Sequence, residues 1–361
     1  MPTIKDVAKL AQVSSATVSR ILNNDATLSV PEETRRTVLH AAETLHYIKK
    51  RRAPKHIYTM GIVQWYTLAQ EMEDPYYLQI RQGIETFCEQ NGVRIQRIFK
   101  ADWQNTDALP AVDGLLCVGK FTRQEAARFK QHTSKLVFLD MEAPQPGDSS
   151  ITLDFEQAVG AALCYLQGLG HTRIGYLGGQ EFLADGTMYP DARKRWFLDF
   201  CKKNGIEALP YIQEDAFTSE AGYRMMKTML ESEDRPSAVF CGSDPIAIGA
   251  LRALQEAGIR VPEEISLVGF DDINAARFTN PPLTTIHAPA HWMGLYGASL
   301  LYHVLSRHED PQPIKAILPC KLVERASCQK ADGIQSAFYS IMGREGDLAE
   351  HTIRLGNFSS P

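Results

Sequence analysis

The residues best suited to recognition chemistry lie close to the N-terminus: Ser15, Ala16, Thr17, Ser19 and Arg20. They are small, hydroxylated or cationic, so they can approach phosphate oxygens and base edges closely. An arginine suits guanine, whose O6 and N7 accept its paired N–H donors in the major groove. A helix must hold them. Val18, Ile21 and Leu22 recur at helical spacing and leave the polar set on the opposite face. A preceding stretch places Val7, Ala8, Leu10 and Ala11 on its own apolar face, and the two meet at Gln12-Val13-Ser14. Ser14 stands where an N-cap belongs, with a hydroxyl able to accept from an orphan amide of the second helix. The pattern predicts a DNA-binding helix-turn-helix. A third helix is expected over 31–47, with Ser29 and Glu32 at capping-box spacing and Pro31 in the first turn. Thr34, Val38, Ala41, Ala42 and Leu45 would pack it back on the first two.

Charge follows the same division. Residues 1–56 hold ten Lys/Arg against five Asp/Glu, and 57–361 hold 28 against 38, giving +5 and −10 around the total of −5. A cationic head on an acidic body is what binding to a phosphate backbone requires. Lys49-Lys50-Arg51-Arg52-Ala53-Pro54-Lys55 carries five positive charges beside a proline, a composition that cannot be core. It reads as a linker, with Lys50, Arg51 and Arg52 placed for phosphates or a narrow minor groove.

The 361 residues exceed what one hydrophobic core organises. No run approaches the ~18 apolar residues of a membrane span, and no signal-peptide pattern follows the N-terminus, so a cytoplasmic protein is expected. The seven cysteines are scattered and odd in number, which fits structural thiols rather than a disulfide framework or zinc site. No metal or cofactor is expected.

From residue 57 onward, apolar runs of strand length (58–65, 93–99, 112–118, 136–140, 173–177, 238–241, 265–270) alternate with helical segments near 76–91, 122–132, 155–169, 190–204, 219–231 and 244–257. Such alternation implies parallel sheets covered by helices, and its extent suggests two. Ligands then sit at the carboxyl ends of the strands, in a cleft between the sheets.

Several ordered motifs carry a family resemblance over about 3–328. They are the helix-turn-helix above, Gly168-Leu169-Gly170-His171-Thr172-Arg173-Ile174-Gly175, Ser243-Asp244-Pro245-Ile246-Ala247-Ile248-Gly249-Ala250, the stretch Val261-Pro262-Glu263-Glu264-Ile265-Ser266-Leu267-Val268-Gly269-Phe270-Asp271-Asp272, and Pro281-Pro282-Leu283-Thr284-Thr285-Ile286. Together they resemble the LacI/GalR family of bacterial repressors. The segment from Asp74-Pro75-Tyr76-Tyr77 to Glu85 is similar to galactose-operon and evolved β-galactosidase repressors. The resemblance implies an α/β protein: an all-α helix-turn-helix headpiece and linker at 1–56, then a two-subdomain core at 57–328 like periplasmic sugar-binding proteins. Its parallel sheets would be crossed near 158–162, 287–290 and 318–320. It also implies a homodimer reading a near-palindromic operator, and a small sugar effector, galactose or a galactoside. By position, Ser15 and Ala16 resemble the pair that sets operator specificity and Arg20 the base-reading arginine, while Thr17, Ser19 and Asn23 suit phosphates. The linker departs from the family pattern, because no leucine lies between Leu45 and Leu68 to wedge into a minor groove.

Within the expected cleft, Asp and Arg can bond adjacent sugar hydroxyls while an aromatic face covers the C–H patch. The candidates are Tyr76, Tyr77, Asp140, Asp154, Arg193, Phe217, Ser243 and Asp271, with Arg193 and Asp271 able to pair. Plainer readings compete: Asp271 as a helix cap, Phe217 as core, Asp244 as an N-cap, and His171 as support for the turn before its strand. A nucleobase effector is a same-fold alternative. Gly175-Tyr176-Leu177-Gly178-Gly179 lacks the full spacing of a dinucleotide loop, and no catalytic constellation stands out, so an enzyme is not expected. In residues 329–361, Ile334, Ile341, Leu348 and Leu355 keep heptad spacing but the second seam fails. A flexible tail is expected there.

Overall fold

Two units divide the chain, Met1–His56 and Ile57–Pro361. The structure, a computed structural model, describes residues 2–22, 25, 28–45, 47, 57–99, 109–307 and 312–331. Asn23, Lys50, Arg51, Arg52 and the heptad positions of the tail lie outside the described residues.

The first unit holds α1 (Ile4–Leu10), α2 (Ser15–Leu22) and α3 (Glu32–Thr44). Gln12 adopts the left-handed conformation, φ 53°, and turns the chain between α1 and α2. Ser14 Oγ then accepts from the Thr17 N–H at 3.0 Å, which caps α2. Val7, Ala8, Ala11, Val18, Ile21, Val38, Ala41 and Ala42 form the core. Leu10, expected on that apolar face, is instead half exposed because Val7, Ala8 and Ala11 already complete the stripe. The Ser29–Glu32 capping box is also not formed. Pro31 is the N-cap, so Glu32 is the first helical residue rather than the third, and α3 ends at Thr44, short of 47.

The second unit begins with β1 (Thr59–Gln64), α4 (Leu68–Glu73), α5 (Tyr76–Asn91), β2 (Arg94–Ile98), β3 (Gly114–Val118), α6 (Arg123–His132), β4 (Leu136–Leu139) and β5 (Ser149–Leu153). The chain then passes to a second lobe through α7 (Phe155–Gly168), β6 (Ile174–Gly179), β7 (Glu181–Phe182), β8 (Met188–Tyr189), α8 (Ala192–Asn204), β9 (Ile212–Asp215), α9 (Ser219–Leu230), β10 (Ala238–Cys241), α10 (Asp244–Glu256), β11 (Ser266–Asp271) and β12 (Thr284–His287). It returns with α11 (Ala290–Ser306) and β13 (Lys315–Leu318), and crosses again into β14 (Lys321–Val323). The sheets run β13-β5-β4-β3-β1-β2 and β14-β12-β11-β10-β6-β9, parallel throughout except β14 against β12. β7 and β8 form a separate antiparallel hairpin. The first passage between lobes falls at Asp154, ahead of the expected 158–162, because α7 packs mainly on the second lobe, against α8 and β14.

α5 and α11 cross at Gly83 and Gly294, where a Cβ would lie 1.9 Å from the His291 and Ile80 carbonyl oxygens. Only glycine allows that approach, and it holds α5 against α11. At the other end of the core, residues 329–331 are tied to the body rather than loose. Gln329 donates from N to Ser266 Oγ at 3.1 Å, and Ala331 N–H to Leu169 O at 2.9 Å. His171 joins the same region, with Nδ1 at 2.9 Å from Ser237 Oγ and Nε2 at 3.0 Å from Gln329 O.

Candidate functional site

On the headpiece, α2 presents Ala16 and Arg20 to solvent, with Ser15, Thr17 and Ser19 half-buried. Arg20 Nε pairs with Asp25 Oδ2 at 2.7 Å, a partner that sequence reasoning did not supply. Such an exposed pair is worth only about 0–1 kcal/mol, so it holds the guanidinium in place at little cost to releasing it.

In the core, the strand ends converge on an inner chamber lined by Asp74, Tyr76, Tyr77, Lys120, Asp140, Leu153, Phe155, Glu181, Arg193, Phe217, Phe270 and Asp271. Asp140 follows β4 in the left-handed region, φ 67°. Its carboxylate accepts from the Tyr76 hydroxyl at 2.9 Å and the Tyr77 hydroxyl at 2.8 Å, both from the first turn of α5. The Lys120 ammonium, placed just after β3, donates to the same carboxylate and to the Asp140 carbonyl. Burial alone would weaken the ammonium's hold on its proton, but the charges of Asp140 and Glu181 outweigh that and raise its pKa. Asp140 is therefore fully engaged by its own protein and sets the tyrosine rings.

Arg193 enters from the opposite lobe. Its Nε donates to Asp191 Oδ1 at 2.9 Å and Nη1 to the Gly242 carbonyl at 2.7 Å. The guanidinium lies 4.5 Å from the Phe217 ring centre and 5.4 Å from that of Phe270, a stacking arrangement that suits arginine's planar group. Asp191 is the N-cap of α8 and also accepts from the Tyr176 hydroxyl at 3.0 Å. The expected Arg193–Asp271 pair is thus replaced by Arg193–Asp191, because the partner two residues away closes a local cap. Phe217 is both core and chamber wall.

Asp271 ends β11 with φ 106° and does not cap a helix. Burial, then the charges of Asp74 and Asp244, push its carboxyl well above the usual range, with Arg193 opposing. Asp74, whose Oδ1 accepts from the Tyr76 N–H at 3.2 Å, is raised by burial to about 6. Glu181 on the hairpin is raised by burial to about 7, against the pull of Lys120 and Arg193. These acids face the chamber with fewer hydrogen bonds than Asp140.

Two expected residues stand elsewhere. Ser243 is buried and caps α10, accepting from the Ile246 N–H at 3.4 Å, and it lines neither the chamber nor the two cavities beside it. Asp154 caps α7 through the Gln157 N–H at 3.0 Å and lines an outer part of the cleft rather than the chamber. With Ser243 at the cap, Asp244 is not the N-cap. It turns into the core, where its carboxylate accepts from the Thr285 hydroxyl and from the Ile273 N–H at 2.8 Å, and burial raises it to about 7. Sequence reasoning missed Lys120, Asp74, Glu181 and Phe155. Lys120 could have been found, because it follows an apolar strand as Asp140 does.

Comparison with known proteins places this architecture. Residues 3–50 match the family of bacterial regulatory proteins of the lacI type, and 163–328 match a periplasmic binding protein-like domain. The HTH-type transcriptional regulator GalR of Streptococcus thermophilus is 38% identical over 314 residues, covering 83% of this chain and 92% of that protein. The chain belongs to the LacI family. The HTH-type transcriptional repressor MelR of Bacillus subtilis (strain 168) is 35% identical over 342 residues, 91% of this chain and 98% of that one. Among solved structures, the Lac repressor dimer bound to operator and the anti-inducer ONPF aligns with TM-score 0.65 and 26% identity, over 91% of this chain and 99% of that chain. A transcriptional regulator CelR–cellobiose complex aligns with TM-score 0.66 and 26% identity, over 91% and 100%. This LacI-family chain is a DNA-binding transcriptional regulator and not an enzyme. Among the described residues, no helix is long and apolar enough to cross a membrane.

Proposed function

We infer that this regulator represses sugar-utilisation genes, with galactose or a galactoside bound in the cleft formed by the inner chamber and the adjoining cavity of about 380 Å³ as the effector. The observation that carries the reading is the chamber wall itself. Asp74, Asp271 and the Arg193 guanidinium offer paired acceptors and donors for adjacent hydroxyls, beside the faces of Phe217, Phe270 and Tyr76 that suit a C–H patch. The similarity to regulators named GalR in Streptococcus thermophilus and Lacticaseibacillus casei supports galactose as the first sugar to try.

A homodimer placing two headpieces on a near-palindrome completes the proposal, with Ser15, Ala16 and Arg20 at base edges and Thr17, Ser19 and Asn23 on phosphates. Lys50, Arg51 and Arg52 follow the backbone or a narrow minor groove. The sugar acts as an inducer: it binds more tightly to the DNA-incompetent state and weakens operator affinity by the same factor that operator weakens sugar binding.

The test is calorimetry with galactose, lactose, glucose and adenine, followed by operator shifts with each binder. Galactose binding that releases operator, lost in Asp271→Ala while DNA binding persists, supports the reading. Adenine binding in place of sugar, or galactose binding without loss of operator affinity, contradicts it.

A further inference from the structure

Residues 1–56 carry five Asp/Glu, and three of them serve helix starts. Asp6 lies in the first turn of α1, where its carboxylate accepts from the Thr3 N–H and hydroxyl at 2.7 Å, and Glu32 and Glu33 open α3. The positive end of the helix dipole favours an acid there. Asp25 stands at the opposite end of a helix. Its N–H donates to the Arg20 carbonyl at 3.1 Å, just past Leu22, the last residue of α2, where the dipole disfavours an anion. Phosphates meeting α2 would repel it as well. Helix stabilisation does not account for an acid at this position.

Its carboxylate is turned instead on the side chain assigned above to a base edge. Asp25 Oδ2 accepts from Arg20 Nε at 2.7 Å. The acid is itself braced on both sides, by its N–H on the Arg20 carbonyl and by the Leu28 N–H, which donates to the Asp25 carbonyl at 3.2 Å. A guanidinium is planar, so holding Nε fixes both its plane and the direction of the edge formed by Nη1 and Nη2. That edge carries the two donors that match guanine O6 and N7. A rotating arginine gives up its rotamer freedom at every base contact, whereas one tied at Nε has already lost much of it.

We propose that Asp25 is a positioning residue for operator discrimination: it aims the Arg20 guanidinium at a guanine edge, while its negative charge lowers affinity for every duplex alike. Asp25 acts through Arg20 and not on the base. This rests on the base-contacting reading of Arg20 given above. The two effects have opposite signs when the carboxylate is removed, since positioning is lost only at one base pair and repulsion is relieved everywhere.

Anisotropy on the sugar-free full chain tests it, with a selected palindromic duplex, its single-base-pair variants and a scrambled duplex at about 0.1 M salt, where charges within ~10 Å still act. Arg20→Ala first identifies the base pair whose discrimination depends on the guanidinium. At that base pair Asp25→Ala lowers discrimination at least threefold and leaves the other positions unchanged, while affinity for scrambled duplex rises at least twofold. Asp25→Asn, which keeps an acceptor but not the charge, gives the same rise with a smaller loss of discrimination. In an Arg20→Ala background, Asp25→Ala still raises scrambled-duplex affinity but changes discrimination no further. Discrimination unchanged at the Arg20 base pair in Asp25→Ala, or affinity lowered for both duplexes alike, overturns the positioning role and leaves Arg20 as the base reader. Arg20→Ala without loss at any base pair overturns both readings.

Discussion

Lys120→Met is the substitution whose cost the structure fixes most closely. The ammonium and the Asp140 carboxylate are 7% and 5% exposed, so water screens the pair little. Removing one partner of a buried pair costs about 3–5 kcal/mol, because a charge remains without its counter-ion. The Tyr76 and Tyr77 hydroxyls still donate to that carboxylate at 2.9 and 2.8 Å, and hydrogen bonds to a charged group hold about 1.5–3 kcal/mol each. They keep the loss near the lower end, about 3 kcal/mol, or a fall of roughly 5 °C in Tm for a unit of this size. Asp140→Asn costs less, since Glu181 still faces the ammonium. The double variant Lys120→Met/Asp140→Asn removes both charges together and recovers about 2–3 kcal/mol relative to the sum of the singles. Urea unfolding of all four proteins at pH 8 gives the cycle. Additive single costs, within about 0.5 kcal/mol, would refute the idea that Lys120 and Asp140 act as a coupled buried pair.

Three further outcomes follow from the geometry. Arg20→Ala loses about 1–3 kcal/mol of discrimination at one base pair in each half-site while binding to random duplex persists, measured by anisotropy with selected and scrambled duplexes. Gly83→Ala pushes a Cβ to 1.9 Å from the His291 carbonyl, and overpacking of that kind costs about 1–3 kcal/mol or more; it also displaces α5, so Tyr76 and Tyr77 leave Asp140 and sugar affinity falls with stability, read by calorimetry. For pH, Asp74 at about 6 and Glu181 and Asp244 at about 7 keep protons in the folded state that the unfolded chain releases near pH 4. Stability of the sugar-free protein therefore falls as pH rises from about 4 to 7 and levels off above that, and Asp244→Asn flattens part of that slope in thermal scans.

The headpiece was legible because its determinants are local: the stripe of Val7, Ala8, Ala11, Val18 and Ile21, and the Ser14 cap, all lie within fifteen residues or so. Strands made of uninterrupted aliphatic residues were equally plain, as at 238–241, which is β10. The sequence does not announce β9, β12, β13 or β14. β9 reads Ile-Gln-Glu-Asp at a sheet edge, and β12 buries Thr284 and Thr285 through bonds to Arg325, Ser327 and Asp244, which lie 41 to 43 positions away. α11 escapes notice because it is apolar nearly all round. In the cleft, the rule that ligand groups follow strands found Asp140 and Asp271 and would have found Lys120. Ser243 obeys the same rule yet serves as a cap, and Arg193 takes Asp191 rather than Asp271. Those choices depend on which neighbour the fold brings first, information that position along a strand does not hold.

The most direct measurement is operator affinity of the full chain, by anisotropy against a palindromic duplex obtained by selection, with and without saturating galactose or galactoside. Strong preference over random duplex, reduced at least tenfold by the sugar, is the expected result. Equal affinity for selected and random duplex, or an operator affinity indifferent to every sugar that binds, would contradict the coupling between cleft and headpiece.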